Sequence, residues 1–330
     1  MPCYSGRVWD GSRFYEGYVF IEDGRVTEVG DGTPTDSIRV GCIIPGLTDG
    51  HTHVGDAGLH LDRRYGLEEL VAPPDGLKHR YLRDTPPEKI EADMTAYFKE
   101  LASNGVSRFL DFREGGTEGV RMLRRVSRNA VIFGRPLSAE FDPNEVDALL
   151  SEADGIGISS ISDVPDSYVS ALADAAHRQG KFLAIHVSER IREDIGKVIS
   201  LQPDLIVHMC EATDSDMKAV ADAGIPVVVC PTSNLYFGKV PPIRRMYDSG
   251  MEISVGTDNA MLAKPDMFAE ARSFRDIAVE QGCPLSLAVD ALVSNGNKLL
   301  LRRALGVSRG ADMPVLTGED PLSGRMDARK

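Results

Sequence analysis

Between residues 43 and 305 the chain alternates between short apolar runs and amphipathic stretches, and this constrains its fold more than any other feature. The runs are Ile43-Ile44, Ser107 to Phe112, Ala130 to Phe133, Gly155 to Ile158, Phe182 to Val187, Leu205 to Met209, Pro226 to Val229 and Glu252 to Val255. Runs that are apolar on both faces belong to strands covered on both sides, as in a parallel sheet flanked by helices. The stretches between them carry helical spacing. In one of them Ile90, Met94, Tyr97, Phe98 and Leu101 share a face, with Thr85 the expected N-cap, Pro86 at the first helical position and Glu88 three residues after the cap. Eight strand-plus-helix units predict an α/β fold, a closed (β/α)8 TIM barrel. An open doubly wound sheet gives a similar alternation, and the count of eight favours closure.

The ends of the chain read differently. Tyr18 to Ile21 and Arg25 to Val29 flank Glu22-Asp23-Gly24, and Asp-Gly between β-rich runs is a hairpin signal. Ala311 to Leu316 reads as one more strand. These features assign 1–42 and 306–330 to a small β module and 43–305 to the barrel. A length of 330 residues suits this division, since such a barrel takes about 250.

Charge narrows the partners. With 37 basic and 50 acidic residues the formal charge is −13, which disfavours nucleic acid and anionic membrane surfaces. A small molecule is the expected partner, and a homo-oligomer is left open. The five cysteines (3, 42, 210, 230 and 283) form no Cys-x-x-Cys pair and are odd in number, as expected of a reducing cytosol. There is no apolar run of about 18 residues and no basic flank before an apolar core at the N-terminus, so a cytoplasmic location is expected.

The chemistry-bearing residues sit where apolar runs end. Pro45 to Val54 contains His51 and His53, which point to one side of a strand and make half a metal site. One His-x-His is common by chance, but His186, His208 and Asp258 also close apolar runs, and Glu189 follows His186 by three residues. In a barrel all these ends converge on one mouth. His177 lies in a helix-like segment, facing solvent or a neighbouring turn, and is given no role. Cys210 and Cys230 read as small core residues. Gly115-Gly116 is not a phosphate loop, and no nucleophile elbow is present. Residues 55–84, a long connection after the first strand, are expected to form a lid or substrate loop at that mouth. Their His60, Lys78, His79 and Arg80 read as solvated or substrate-edge residues. Arg113, Arg135 and Glu140 follow the second and third strands and are expected in structural ion pairs more than in substrate contacts.

Taken together, these motifs resemble the amidohydrolase superfamily, in particular its cytosine-deaminase-like and chlorohydrolase-like branch. That branch includes S-adenosylhomocysteine, methylthioadenosine and guanine deaminases. The matching segments, in order, are PGLTDGHTHV (45–54), HVSE (186–189), His208, CPTSN (230–234), GTDN (256–259) and DMFAEAR (266–272). The run from Asn234 to Gly250, Ser294 to Asn297, and Gly310-Ala311-Asp312 add to the likeness. The resemblance implies that the terminal module is a composite β-sandwich. It also implies that His51, His53, His186 and Asp258 bind one divalent metal, zinc, with Fe2+ or Mn2+ as alternatives that ligand type does not exclude. Dinuclear relatives carry a carboxylated Lys or a Glu on the fourth strand. Gly155 to Ser160 has neither, so a single metal is expected.

The implied reaction is hydrolytic deamination of an amino-substituted N-heterocycle: a purine, pyrimidine or nucleoside. The metal acidifies a water, Asp258 takes its proton, and Glu189 protonates the ring nitrogen. His208 orients the water or stabilises the tetrahedral oxygen. Asn234, with Lys78 and His79 of the 55–84 connection, is expected to line the substrate pocket. Two alternatives stay open within the enzymes, another C–N bond such as a cyclic amide, or a non-amino leaving group on a heterocycle. From a different class, a catalytically silent scaffold is also weighed, although such proteins usually lack the ligands found here. The chain is shorter than typical relatives, and 55–84 matches no substrate-defining pattern, so the substrate does not carry over.

Overall fold

The computed structural model describes residues 1–301 and 314–326. The first four strands are β1 (Cys3–Trp9), β2 (Phe14–Glu22), β3 (Arg25–Asp31) and β4 (Ile38–Ile44). Asp23 and Gly24 both have positive φ, 49° and 76°, in the tight turn between β2 and β3. The barrel follows as β5 (Leu47–His53), β6 (Val106–Arg113), β7 (Ala130–Gly134), β8 (Gly155–Ile158), β9 (Phe182–Val187), β10 (Leu205–His208), β11 (Val227–Val229), β12 (Ile253–Val255) and β13 (Asp258–Asn259), all parallel. A last strand, β14 (Val315–Thr317), pairs with β4, so both ends of the chain build one five-stranded sheet in the order β14-β4-β1-β2-β3. Of the expected strand Ala311 to Leu316, residues 311–313 lie outside the described residues, as do the motif Gly310-Ala311-Asp312 and the whole stretch 302–313.

β12 and β13 are two pieces of one eighth strand, and through them the barrel closes. β12 pairs with β11, whereas β13 pairs with β5, Asp258 opposite Thr52 and Asn259 opposite His53. Between the pieces, the Asp49 carboxylate accepts from the Thr257 N–H (3.0 Å) and hydroxyl (2.7 Å) and seals the seam. A Cβ on Gly256 would lie 2.7 Å from the His51 nitrogen, so only glycine lets the eighth strand come this close to the first.

Two local expectations change. Ile43 and Ile44 belong to β4 in the outer sheet, and the first barrel strand begins at Leu47, beyond Pro45-Gly46. The run is apolar because β4 is covered on both sides. Ile43 packs with Tyr4, Val8, Val19 and Leu316, and Ile44 packs into the main core. The helix expected to start at Pro86 spans Pro87–Ser103 with Pro86 as its N-cap, while Thr85 ends the preceding helix Leu77–Asp84. With two consecutive prolines, the second takes the first helical position and the start shifts by one residue.

Strand alternation divides the core. Leu110, Phe112, Val131, Phe133, Phe182, Ala184, Leu205, Val207, Val228 and Cys230 fill the barrel interior, with Leu299 and Leu300 in the same cluster. Ile132, Leu183, Ile185, Ile206, Val227 and Val229 pack in the larger outer cluster with the helices. The connection after β5 contains two helices, Leu67–Val71 and Leu77–Asp84. Among the described residues no helix is long and apolar enough to cross a membrane.

Candidate metal centre and active site

His51 and His53 owe their orientation to a bulge. Asp49 pairs with Phe109 and Thr52 with Asp111, so β5 has three steps where β6 has two. Before the bulge Gly50 faces the interior Val228, and after it His51 and His53 do. The Asp111 carboxylate fixes the shift, accepting from the Thr52 hydroxyl and the Val54 N–H, both at 2.8 Å. His186 follows from plain alternation, since Phe182 and Ala184 on the same strand also face inward.

The three imidazoles meet at their Nε2 atoms, His51 to His186 at 3.2 Å and His53 to His186 at 3.4 Å. Asp258 Oδ1 lies 3.3 Å from His51 Nε2 and 3.7 Å from His53 Nε2. Behind this meeting point, His186 Nδ1 donates to the Ile158 carbonyl (3.0 Å), and His53 Nδ1 is shared by the Phe112 carbonyl and Glu114 Oε1, both at 3.0 Å. These bonds leave the lone pairs of His53 and His186 on Nε2. Burial lowers all four interior histidines, His53 to about 4. Burial alone would raise Asp258, but the hydrogen bond with His51, with His208 and His53 beyond it, holds the carboxyl well below the usual range. Neutral nitrogens with facing lone pairs and an ionised carboxylate repel one another unless they share a cation. The donor set therefore fits one metal, with a second overlapping triplet in His51, His208 and Asp258.

His208 reaches this mouth by another route. Leu205 and Val207 face inward and Ile206 outward, so a continued strand would turn His208 away. Instead His208 and Met209 adopt φ of 79° and 63°, which swings the imidazole inward and sends Met209 to the outer core. Asn234 Nδ2, on the helix Pro231–Tyr236, donates to His208 Nδ1 at 3.1 Å. The proton of His208 is then on Nε2, 3.6 Å from Glu189 Oε2. Glu189 sits on a tight elbow: Ser188 has φ 48°, and the Glu193 carboxylate accepts from the Ser188 N–H (2.8 Å) and the Ser160 hydroxyl (2.5 Å). Burial, then the nearby Asp258 carboxylate, raises the Glu189 carboxyl.

A cavity of about 860 Å³ opens from His186 and Glu189. Arg135, Ser159, Ser160 and Tyr168 line one wall, and Leu67, Val71, His79 and Leu82 of the long connection line the other. Arg135 donates to Ser159 Oγ at 3.0 Å and Arg113 Nε to the Gly119 carbonyl at 3.2 Å. These are bonds to uncharged oxygens rather than the expected ion pairs, because the rim of β6 to β8 offers them carbonyls and hydroxyls; Glu140 is exposed. Lys78 is buried, 2.5 Å from Glu114 Oε1 and 3.2 Å from Asn259 Oδ1. His79 Nε2 meets the Val71 carbonyl (3.1 Å), while His60 and Arg80 are exposed. His177 lies away from the mouth, on the helix Asp166–Arg178, facing the Gln202 carbonyl at 3.3 Å. Cys230 is in the barrel interior and Cys210 is half-buried. Glu114, Asn259 and Glu193 were not singled out from the sequence. Asn259 stood inside the matched GTDN segment, and Glu114 directly follows the second barrel strand.

Residues 42–307 match the model of the Amidohydrolase family. The chain belongs to this family. As a member it is a hydrolase of carbon–nitrogen bonds other than peptide bonds. A Methanothermobacter thermautotrophicus protein that bears a provisional aminohydrolase name is 32% identical over 293 residues, 80% of this chain and 76% of that one. The 5'-deoxyadenosine deaminase of Methanosarcina acetivorans is 24% identical over 367 residues, 94% and 82% of the two chains. Among solved structures, an adenosine deaminase from Xanthomonas campestris with bound zinc superposes with a TM-score of 0.73, covering 96% of this chain and 83% of that one at 16% identity. At that identity the match speaks to the fold alone.

Proposed function

We propose that this amidohydrolase is a metal-dependent hydrolytic deaminase of an amino-substituted N-heterocycle, a nucleoside or similarly substituted purine or pyrimidine. His51, His53, His186 and Asp258 would hold a single divalent metal, and zinc suits the three imidazoles and one carboxylate. Bound there, the metal supplies a water that ionises near neutral pH. Asp258 Oδ1, kept ionised, accepts the proton of that water. His208, whose Nδ1 accepts from Asn234, presents its Nε2 proton to the oxygen that becomes negative as the heterocycle carbon turns tetrahedral. Glu189, its carboxyl raised, carries the proton that a ring nitrogen needs. The proton held by Asp258 then goes to the amine, which leaves as ammonia, while Glu189 takes back the hydroxyl proton of the tetrahedral carbon.

The observation that carries the reading is the pairing of a proton-holding carboxyl with the His/His/His/Asp cluster at the inner end of one cavity. Opening an amide ring also needs a proton on the departing ring nitrogen, so Glu189 beside His208 fits either reaction, and the deaminase names among the relatives favour deamination. The cavity's length beyond Glu189 leaves room for a substituent on the heterocycle, and the deaminase names among the relatives support that class. The test is ammonia release by zinc-loaded protein on a panel of adenine, guanine and cytosine bases, their nucleosides and 5'-substituted nucleosides, with cyclic amides alongside. Ammonia from a nucleoside is expected. Turnover of the cyclic amides alone would reject the deaminase assignment.

A further inference from the structure

The helix Leu77–Asp84 is docked on the barrel mouth in an unusual way, for its one fully buried residue is a lysine. Lys78 is 3% exposed. An ammonium is expensive to bury and remains there only when its partners are fixed. Those partners stand directly behind two metal-site residues. Glu114 Oε1, which Lys78 Nζ approaches to 2.5 Å, also accepts from His53 Nδ1 at 3.0 Å. Asn259 Oδ1, 3.2 Å from the same ammonium, belongs to the amide whose Nδ2 donates to Asp258 Oδ1 at 3.0 Å. His53 ends β5, and Asp258 begins β13 on the neighbouring strand, so one lid atom reaches a ligand on each side of the seam.

We propose that Lys78 is a positioning residue that latches the 55–84 connection onto the metal centre, making closure of that connection and retention of the metal a single coupled event. The proposal rests on the metal-centre reading above. Glu114 is 7% exposed and its second oxygen has no hydrogen-bond partner, so the Lys78 contact is what holds that carboxylate aimed at His53. A carboxylate at Nδ1 fixes the imidazole with its Nε2 lone pair toward the metal. On the lid side, helix Leu77–Asp84 has no fully buried apolar residue to dock it. Without the ammonium the helix loses its deepest contact while His53 and Asp258 lose their backing. The same connection walls the cavity through Leu67, Val71, His79 and Leu82, so the latch also sets when the cavity is closed.

The test uses the full-length, zinc-loaded protein and its Lys78→Met, Lys78→Arg and Glu114→Gln variants. It follows zinc release to excess chelator and limited proteolysis within 55–84. In Lys78→Met, release is expected to be about tenfold faster or more, the magnitude usual for the partners of metal ligands. Cleavage within 55–84 should rise while the rest of the chain stays intact. Glu114→Gln should reproduce the faster release, the double variant should add nothing, and Lys78→Arg should recover part of the loss. Should Lys78→Met fail to fold, the wild type decides: its 55–84 segment is cleaved more slowly with zinc than without, and equal rates overturn the proposal. Wild-type release rates in Lys78→Met overturn it, as does a change confined to KM, which would make Lys78 a substrate contact. A wild type that holds no stoichiometric zinc instead removes the metal-centre reading itself.

Discussion

The interior of this barrel has two ends built on opposite principles. The floor and middle are apolar and close-packed: Leu110, Val131, Phe133, Phe182, Leu205 and Leu299 fill the space between strands. The mouth, only a few residues further along the same strands, holds His51, His53, His186, His208, Glu189, Asp258, Glu114 and Lys78, of which Asp258, Glu114 and Lys78 are buried charged groups. The floor gains free energy from burial. At the mouth, side chains are desolvated and crowded in a way that is unfavourable until a cation and a substrate arrive. The backbone tells the same story. Apart from the bulged β5, the barrel strand bodies pair in regular register, whereas Ser188, His208, Met209 and Asp258 at the mouth all have positive φ without being glycine. Local strain of this kind persists where a rigid scaffold imposes it, and it clusters at functional sites. Stability and chemistry are thus separated along the strand axis.

Substitutions can break this separation or sharpen it. The largest effect is expected at the mouth: His186→Ala should lose the metal and the activity together, with a melting temperature in chelator no lower than that of the wild type. A large loss of metal-free stability would show that the mouth also holds the fold. Next, Glu189→Gln should keep its metal and lose about 10²- to 10⁴-fold in kcat, the range for one general acid–base group. Phe133→Ala on the floor should do the reverse, losing about 3–5 kcal/mol of stability in denaturant titrations while each folded molecule keeps its turnover. A smaller effect concerns pH. Because burial and Asp258 raise the Glu189 carboxyl, its protonated, donating form persists toward neutrality, and kcat/KM should fall as pH rises through that raised value. A rate that rises steadily to high pH would contradict the donor role.

The smallest effect lies outside the barrel interior, at Glu270 on the helix Met267–Glu280, whose carboxyl accepts from the Thr232 N–H (3.1 Å) and is pushed up to about 8 by burial. Its folded value lies above its unfolded one of about 4.3. Its contribution is therefore fully present below about pH 4 and is lost as pH rises through 8. Glu270→Gln should flatten the fall of the melting temperature between pH 6 and 9, and an unchanged slope would place the ionisation elsewhere.

Much of the barrel was legible because apolar runs report two-sided burial, and the starts and ends of seven of them fall within a residue or two of real strands. The first strand was not, because Pro45-Gly46 separates an outer-sheet strand from a barrel strand while both carry apolar residues. His186 could be placed from alternation alone. His208 could be named but not oriented, since alternation points it outward and only the left-handed backbone turns it in. Likewise His51 and His53 face inward by way of a bulge, a step in pairing that depends on β6 and leaves no local mark in β5. The Lys78–Glu114–His53 relay was illegible for a plainer reason: its members are 36 and 61 residues apart in sequence and meet only because the connection folds back over the mouth.

Anomalous diffraction at the zinc edge from crystals of the zinc-loaded protein tests the central claim most directly. One peak is expected, about 2.0–2.2 Å from the Nε2 atoms of His51, His53 and His186 and from a carboxylate oxygen of Asp258. A peak elsewhere, two peaks within the mouth, or coordination that leaves out any of the four would contradict the account.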